Sequence, residues 1–351
     1  MNFAELISRS PSWLCGTAPM NDVVVSSRVR LARNLAGMPF LTRCTATQVR
    51  EIARLLREML LKVGLGGEAL YVDVNAAEPL NRQMLVERHL ISRQHAEGAG
   101  PRGVAVAAEE SIAVMVNEED HLRVQVLRGG LQLDACHGEI RRVDEMLESR
   151  LDFAFSSRFG YLTACPTNVG TGLRVSVMMH LPGLKMTGQL EKALRAARDM
   201  HLAVRGLYGE GTEAIGDMFQ VSNQTTLGKS EEDIIADFRD RVLPALISYE
   251  RRAREVLLNE RRLALDDKVH RALATLAAAR LISAEETLYL FSQIRLGINL
   301  GLIEPLSIED LSALALRIQP AHLQRTAGRE MSDAERDEAR ARLVRDAFEH
   351  T

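Results

Sequence analysis

Most signatures of a ready-made chemistry are missing from this sequence. There are only four cysteines (Cys15, Cys44, Cys136 and Cys165), with no CxxC pair and no Cys/His ligand spacing. That argues against a disulfide framework or a structural zinc site. Neither sign of charge dominates. The 44 basic and 47 acidic residues leave a formal net charge of -3, so nothing global points to a nucleic-acid or membrane partner, although local clusters can still bind phosphate. No apolar run approaches the roughly 18 residues that span a bilayer. Glu5 and Arg9 fall where a signal peptide needs its apolar segment. A reduced, cytoplasmic protein is expected. No Gly-Lys-Ser/Thr phosphate loop occurs. Gly209, Gly211 and Ala214 match a dinucleotide fingerprint only nominally, because the strand-like residues 218–222 follow where a helix is required.

What remains is 351 residues, 46% hydrophobic and 26% charged, enough for a large core and roughly two domains. The densest chemistry lies in residues 165–174, Cys-Pro-Thr-Asn-Val-Gly-Thr-Gly-Leu-Arg. Cys165 can act as a thiolate where positive charge lowers its pKa. Gly170 and Gly172 allow close backbone approach, and Arg174 can grip phosphate oxygens from the strand that follows. A tight turn beside a buried cysteine is the plainer reading.

Other segments repeat the theme. Residues 23–25 read as a strand running into Arg28, Val29 and Arg30, whose alternation puts both arginines on one face. That is either a forked donor pair or a solvated edge strand. Thr45 and Gln48 form a capping box for a helix that Gly64 stops. Residues 81–92 have helical spacing and include His89, by itself an ordinary surface histidine. Residues 112–116 and 122–127 form a strand pair around an acidic turn, Glu118, Glu119, Asp120 and His121, with Arg123 directly after it. A solvated loop and a site are both open there. Arg174, Ser176 and Met178 share a face of the next strand. After residue 222 the pattern is helical. Ser230/Asp233, Ser283/Glu286, Ser307/Asp310 and Ser332/Glu335 mark helix starts, and Pro244 should kink a helix without ending it. A boundary is expected near 250–265.

Arg28, Arg30, Arg123, Arg174 and Arg205 beside Glu119, Glu210, Cys165 and Asn168 suit phosphoryl transfer. An arginine cradle takes a nucleoside triphosphate, while paired carboxylates hold a guanidinium and remove its proton.

Residues 26–30 (SSRVR), 117–123 (NEEDHLR) and 165–174 (CPTNVGTGLR) resemble the phosphagen (guanidino) kinase family over about residues 20–255. Residues 205–213 and 221–228 have the form of the branch acting on arginine side chains of proteins. The resemblance implies an α+β fold, a mostly antiparallel sheet flanked by helices, and then an all-α C-terminal domain. The two domains would be residues 1–255 and 256–351, the latter serving phosphoarginine binding and oligomerisation. It implies ATP with Mg2+ held mainly by the phosphates and water, so that no protein-held metal is expected. Nucleotide contacts would come from Ser26, Ser27, Arg28, Val29, Arg30, His89, Arg123, Arg174, Val175, Ser176, Val177, Met178, Arg205, Gly206, Leu207, Tyr208 and Gly209. Glu119 would be the base, Glu210 the second carboxylate and Cys165 an electrostatic partner of the guanidinium, with Asn168 beside them. The small-substrate members carry a helical domain with a closing loop ahead of the catalytic one. Only about 20 residues precede Val23, so an open site for a protein-borne arginine is expected. A kinase of free arginine is the alternative.

Residues 336–341, RDEARA, are by themselves a charged helix face. By resemblance Arg336, Asp337 and Arg340 would bind phosphoarginine away from the active site. Also implied are protein substrates including a heat-shock repressor, an activating zinc-protein adaptor, a AAA+ protease and a role in stress response. Leu/Ile stripes on the helical part suggest a homo-oligomer.

Overall fold

The computed structural model describes residues 3–14, 16–206, 215–304 and 306–348. Leu207, Tyr208, Gly209 and Glu210 therefore lie outside the described residues. Among the described residues there are ten strands: β1 (Val24–Arg33), β2 (Ala69–Asp73), β3 (Gly103–Ala107), β4 (Ile112–Val116), β5 (Leu122–Gly129), β6 (Phe155–Ser156), β7 (Gly160–Tyr161), β8 (Leu173–His180), β9 (Leu202–Gly206) and β10 (Met218–Asn223). Backbone pairing orders eight of them β2-β3-β4-β5-β1-β8-β10-β9, and β6 with β7 makes a separate hairpin. The pairs β2–β3, β3–β4, β4–β5 and β5–β1 are all antiparallel. The expected α+β class, an antiparallel sheet with helices and a helical C-terminal region, is what the chain adopts.

Packing divides the chain into two discontinuous units. One comprises Met1–Trp13, Ser26–Ser176 and Ser222–Arg241; the other comprises Leu14–Val25, Val177–Val221 and Val242–Thr351.

In the first unit, register explains the placement of the arginines. Residues directly opposite across an antiparallel pair share a face. Val72 faces Val104, Val104 faces Met115, Met115 faces Arg123, and Arg123 faces Ala32. Arg30 lies opposite Gln125, and Arg28, two residues before it, shares its face. One face thus runs from aliphatic side chains at β2–β4 to arginines at β5 and β1. Leu85, Leu90 and Ile91 cover the aliphatic end, and each such buried side chain stabilises by about 1.5–3 kcal/mol. Val29, Leu31, Val124 and Val126 alternate onto the other face and are fully buried.

The second unit holds the helical core. Leu265, Val269, Leu276, Ile294, Leu296, Ile318, Ala341 and Val344 form one buried cluster. The Ser-x-x-acid starts behave as helix caps. Ser230, Ser283 and Ser307 each accept the N–H three residues on, as does Ser332 from Glu335, and each cap is worth about 1 kcal/mol. Thr45 and Gln48 complete their capping box.

Two helix expectations need correction. The helix around 81–92 is shorter, Pro79–Glu87. His89 sits beyond its end at φ 59, because Leu90 N–H turns back to the Leu85 carbonyl and closes the helix. Pro244 does not bend a continuous α-helix. A π turn, Asp237–Val242, precedes it, and Pro244 falls in the first turn of helix Leu243–Glu260, where its missing N–H costs least.

Candidate active site

The acidic turn is a built structure. Asn117, at φ 58, closes it by donating its N–H to the His121 carbonyl (3.0 Å). The Asn117 side-chain amide ties it to the carbonyls of Val49 (3.1 Å) and Pro101 (2.9 Å). Asp120 and His121 are buried. His121 Nδ1 accepts from the Leu35 N–H while Nε2 donates to the Pro39 carbonyl (2.9 Å), which fixes a neutral ring. The solvated-loop reading is excluded.

Glu118 departs furthest from expectation, since its side chain is 1% exposed. Ser92 Oγ and Arg123 Nη1 both donate to its Oε1 at 2.6 Å. The Glu119 N–H donates to its Oε2 at 2.9 Å. Burial opposes its charge, but Arg123, Ser92 and that N–H outweigh it and hold the pKa down at about 2. Glu119 is half-buried. Desolvation first, then the charges of Asp120 and Glu118, raise its pKa against the pull of Arg123 and Arg174.

Asp120 joins the turn to the cysteine segment. Its Oδ1 accepts from Asn34 Nδ2 (2.5 Å) and from the Ala164 N–H (2.7 Å), so the residue before Cys165 is clamped to the residue after Glu119. Cys165 is half-buried, and its Sγ lies 3.0 Å from Thr167 Oγ1. The backbone of Asn168 closes the short 3-10 turn that follows. Gly170 (φ 115) and Gly172 (φ 68) are dictated by space. A Cβ on Gly170 would sit 2.6 Å from the Thr226 carbonyl oxygen, and one on Gly172 would sit 2.7 Å from that of Ala32. Arg33 supports the same loop. It is buried, pairs with Asp144 through two hydrogen bonds, donates to the Thr171 carbonyl (2.8 Å) and lies 3.5 Å above the Tyr161 ring centroid.

Arg28, Arg30, Arg123 and Arg174 converge beside this turn. Burial, then the charges of Arg123 and Arg174, bring the Arg28 pKa down to about 10. Arg30 is lowered further by burial and by Arg123, Arg28 and Arg174. Arg30 Nε is buried without a hydrogen-bond acceptor among the described residues. Arg28 Nε lies 3.4 Å from Ser176 Oγ, and Arg174 Nη2 donates to Ser222 Oγ (3.1 Å). Four mutually repelling guanidinium groups, with the buried Arg30 Nε lacking an acceptor among the described residues, are suited to a polyanion. Nucleotide phosphates fit it.

His89 joins the cradle. Its carbonyl accepts from Gln125 Nε2 (2.7 Å), and Gln125 stands opposite Arg30. Burial and the Arg28 charge lower its pKa to about 4, so the ring is neutral. Ser26 is buried on the arginine face. Ser27 and Val29 point the other way, the Ser27 hydroxyl bridging the Gly130 carbonyl (2.7 Å) and the Gln132 N–H. Val175 is core, and its N–H is held by Asn223 Oδ1 (2.8 Å). Val177, Met178, Arg205 and Gly206 belong to the second unit; Val177 and Gly206 are buried there, Met178 and Arg205 half-buried.

Sequence reading left Glu118 and Asp120 open as members of an acidic turn and missed Asn34, Ser92 and Gln125 as positioning groups. Of these three Asn34 carried a signal, as it follows directly on the run containing Arg28, Arg30 and Arg33.

In the second unit Arg340 is buried. It donates to the carbonyls of Ile318 (2.9 Å) and Ile282 (2.8 Å) and to Asp337 Oδ1 (2.6 Å). Arg336 is half-buried, donating to the Met331 carbonyl (2.7 Å) and pairing with Asp333.

The family model for the C-terminal catalytic domain of ATP:guanido phosphotransferases matches residues 51–253, and that for the C-terminal domain of protein-arginine kinase McsB matches residues 262–351. A protein-arginine kinase of Symbiobacterium thermophilum is 47% identical over 98% of this chain and 99% of its own length. Another, of Halothermothrix orenii, is 43% identical over 98% and 99%. Among solved structures, a lombricine kinase superposes with TM-score 0.58 at 28% identity, covering 69% of this chain and 71% of its own. A duplicated taurocyamine kinase from Schistosoma mansoni, with transition-state-analogue components bound, gives TM-score 0.61 at 27% identity over 77% of this chain and 39% of its own. This chain belongs to the ATP:guanido phosphotransferase family, in the group of the protein-arginine kinases.

Proposed function

We propose that this protein transfers the γ-phosphoryl group of ATP to arginine side chains presented on proteins. The observation that carries this reading is the four-arginine cradle standing next to a carboxylate, Glu119, whose pKa is raised. The triphosphate lies on Arg28, Arg30, Arg123 and Arg174. Mg2+ on those phosphates would neutralise further charge there. Glu119 takes one proton from the acceptor guanidinium, which frees a nitrogen lone pair. That nitrogen attacks the γ-phosphorus, the bond to the bridging oxygen breaks, and ADP leaves. Glu210 and Cys165, with Asn168 beside them, complete the guanidinium's surroundings in this reading. His89 belongs with the cradle in this reading, and the family resemblance supports nucleotide contacts from residues 26–30, 174–178 and 205–209.

The catalytic part is residues 1–255 and the helical part 256–351, where Arg336, Asp337 and Arg340 take phosphoarginine. Exposed Leu263 and Leu281 on the helical part support self-association. The family resemblance supports a cytoplasmic stress-response role with a heat-shock repressor as substrate. It also supports an activating zinc-protein adaptor and hand-over of marked proteins to a AAA+ protease.

The test is ATP turnover on an arginine-rich unfolded protein against free arginine, with acid-labile phosphoarginine scored by mass spectrometry. Turnover on the protein, and its loss by about 10²–10⁴-fold in Glu119→Ala, is expected. Turnover on free arginine alone would overturn the proposal.

A further inference from the structure

The N-terminal segment has no part in the reaction described so far, yet it is fixed by specific contacts, one of them to His89. Arg88, buried and paired through two hydrogen bonds with Glu110, also donates to the Arg9 carbonyl (2.6 Å). Ser12 donates through both its N–H and its hydroxyl to the Glu109 carbonyl. Trp13, the single tryptophan of the chain, is 8% exposed and meets the His89 ring edge-on, centroids 5.4 Å apart at 69°.

Two features of this contact serve stability poorly. The Trp13 indole N–H is buried without an acceptor among the described residues, a desolvation cost that buried donors normally avoid. His89 occupies the left-handed position just past a helix end, where glycine would be free of strain. Backbone strain of this kind collects where a side chain must be aimed at a ligand. The Gln125 bond and the Arg28 charge put His89 at the cradle, while burial keeps it uncharged. A neutral imidazole and an indole add nothing to phosphate neutralisation. They offer aromatic surface, which suits the uncharged end of a nucleotide.

We infer that Trp13 is a positioning residue that holds the His89 ring as a wall for the nucleoside end of ATP, making Arg9–Trp13 part of the nucleotide site. The inference rests on the kinase reading above and adds a determinant of base recognition to it.

The full-length protein tests it, because its one tryptophan reports on the contact. ATP should change the tryptophan emission, whereas inorganic tripolyphosphate, which fills the arginine cradle without a nucleoside, should not. In Trp13→Phe, KM and Kd for ATP should rise about tenfold, with most of the loss in KM and little in kcat. Tripolyphosphate affinity should stay as in the wild type, and the thermal midpoint shows whether the variant folds. Equal weakening toward ATP and tripolyphosphate would make Trp13 a purely structural residue and overturn the inference. Unaltered emission while calorimetry shows ATP bound would do the same to the wild-type arm. If the wild type bound neither ligand, the kinase reading itself would fall.

Discussion

Glu118 and Glu119 are adjacent, chemically identical in sequence, and opposite in character. Glu118 spends its carboxylate on Arg123, Ser92 and the neighbouring N–H and keeps a low pKa. Glu119 has no such set of donors among the described residues, and its pKa is raised, chiefly through desolvation and then through Asp120 and Glu118. A base that deprotonates a guanidinium gains from the second condition. Replacing Glu118 by Gln removes one negative charge beside Glu119 and leaves Arg123 to act on it, and both changes lower the Glu119 pKa. With Glu119 proposed as the base, active only when ionised, the acid limb of kcat/KM should move to lower pH in Glu118→Gln. The rate itself should drop by about 10²-fold as the tether on the Glu119 backbone weakens. A limb that stayed in place or moved up would remove Glu119 from the role of titrating base. Nothing in the residues Asn-Glu-Glu-Asp-His separates the two glutamates. Their burial and partners come from Ser92 and Arg123, brought in by the turn after the helix and by the start of β5.

At the scale of elements, local signals were legible and their ends were not. Capping boxes at Thr45 and Ser230 and the period-2 runs of β1, β5 and β8 are properties of short windows, so sequence places them well. The end of helix Pro79–Glu87 escaped notice because a histidine takes the position that glycine usually marks. The π turn before Pro244 depends on packing that no window contains. The loop after Cys165 lies between these cases. Its two glycines announced themselves, but the reason lies in carbonyl oxygens of Thr226 and Ala32. Gly172→Ala should therefore cost at least about 1 kcal/mol of stability from the positive φ alone. The Cβ contact should also shift the loop from Arg33 and β1. Chemical denaturation gives the first quantity. The second should appear as a loss of kcat near 10²-fold in protein that still gives a cooperative unfolding transition, and wild-type turnover in such protein would show that the loop's position does not matter.

At the scale of the whole molecule, the two functional parts carry arginines for different reasons, and only contacts tell them apart. In RDEARA the sequence offers Arg336 and Arg340 as equals one helical turn apart. Arg340 is committed to holding Ile318 at the end of helix Ile308–Arg317 and Ile282 ahead of helix Ala284–Asn299, with Asp337 beside it. Arg336 is half-exposed and holds one carbonyl and a surface aspartate. Removing Arg340 leaves two carbonyls without their donor and should destabilise the protein by about 3 kcal/mol. Removing Arg336 should cost below about 1 kcal/mol. A phosphoarginine site here is therefore tested through Arg336. In Arg336→Ala, calorimetric affinity for free phosphoarginine should fall at least tenfold while the unfolding midpoint moves little, because a guanidinium–phosphate pair is lost from a helix that stays capped by Ser332. Arg340→Ala should lose binding and stability together, and so cannot by itself separate a ligand contact from a structural one. Undiminished phosphoarginine binding in Arg336→Ala would assign the motif wholly to the packing that Arg340 performs.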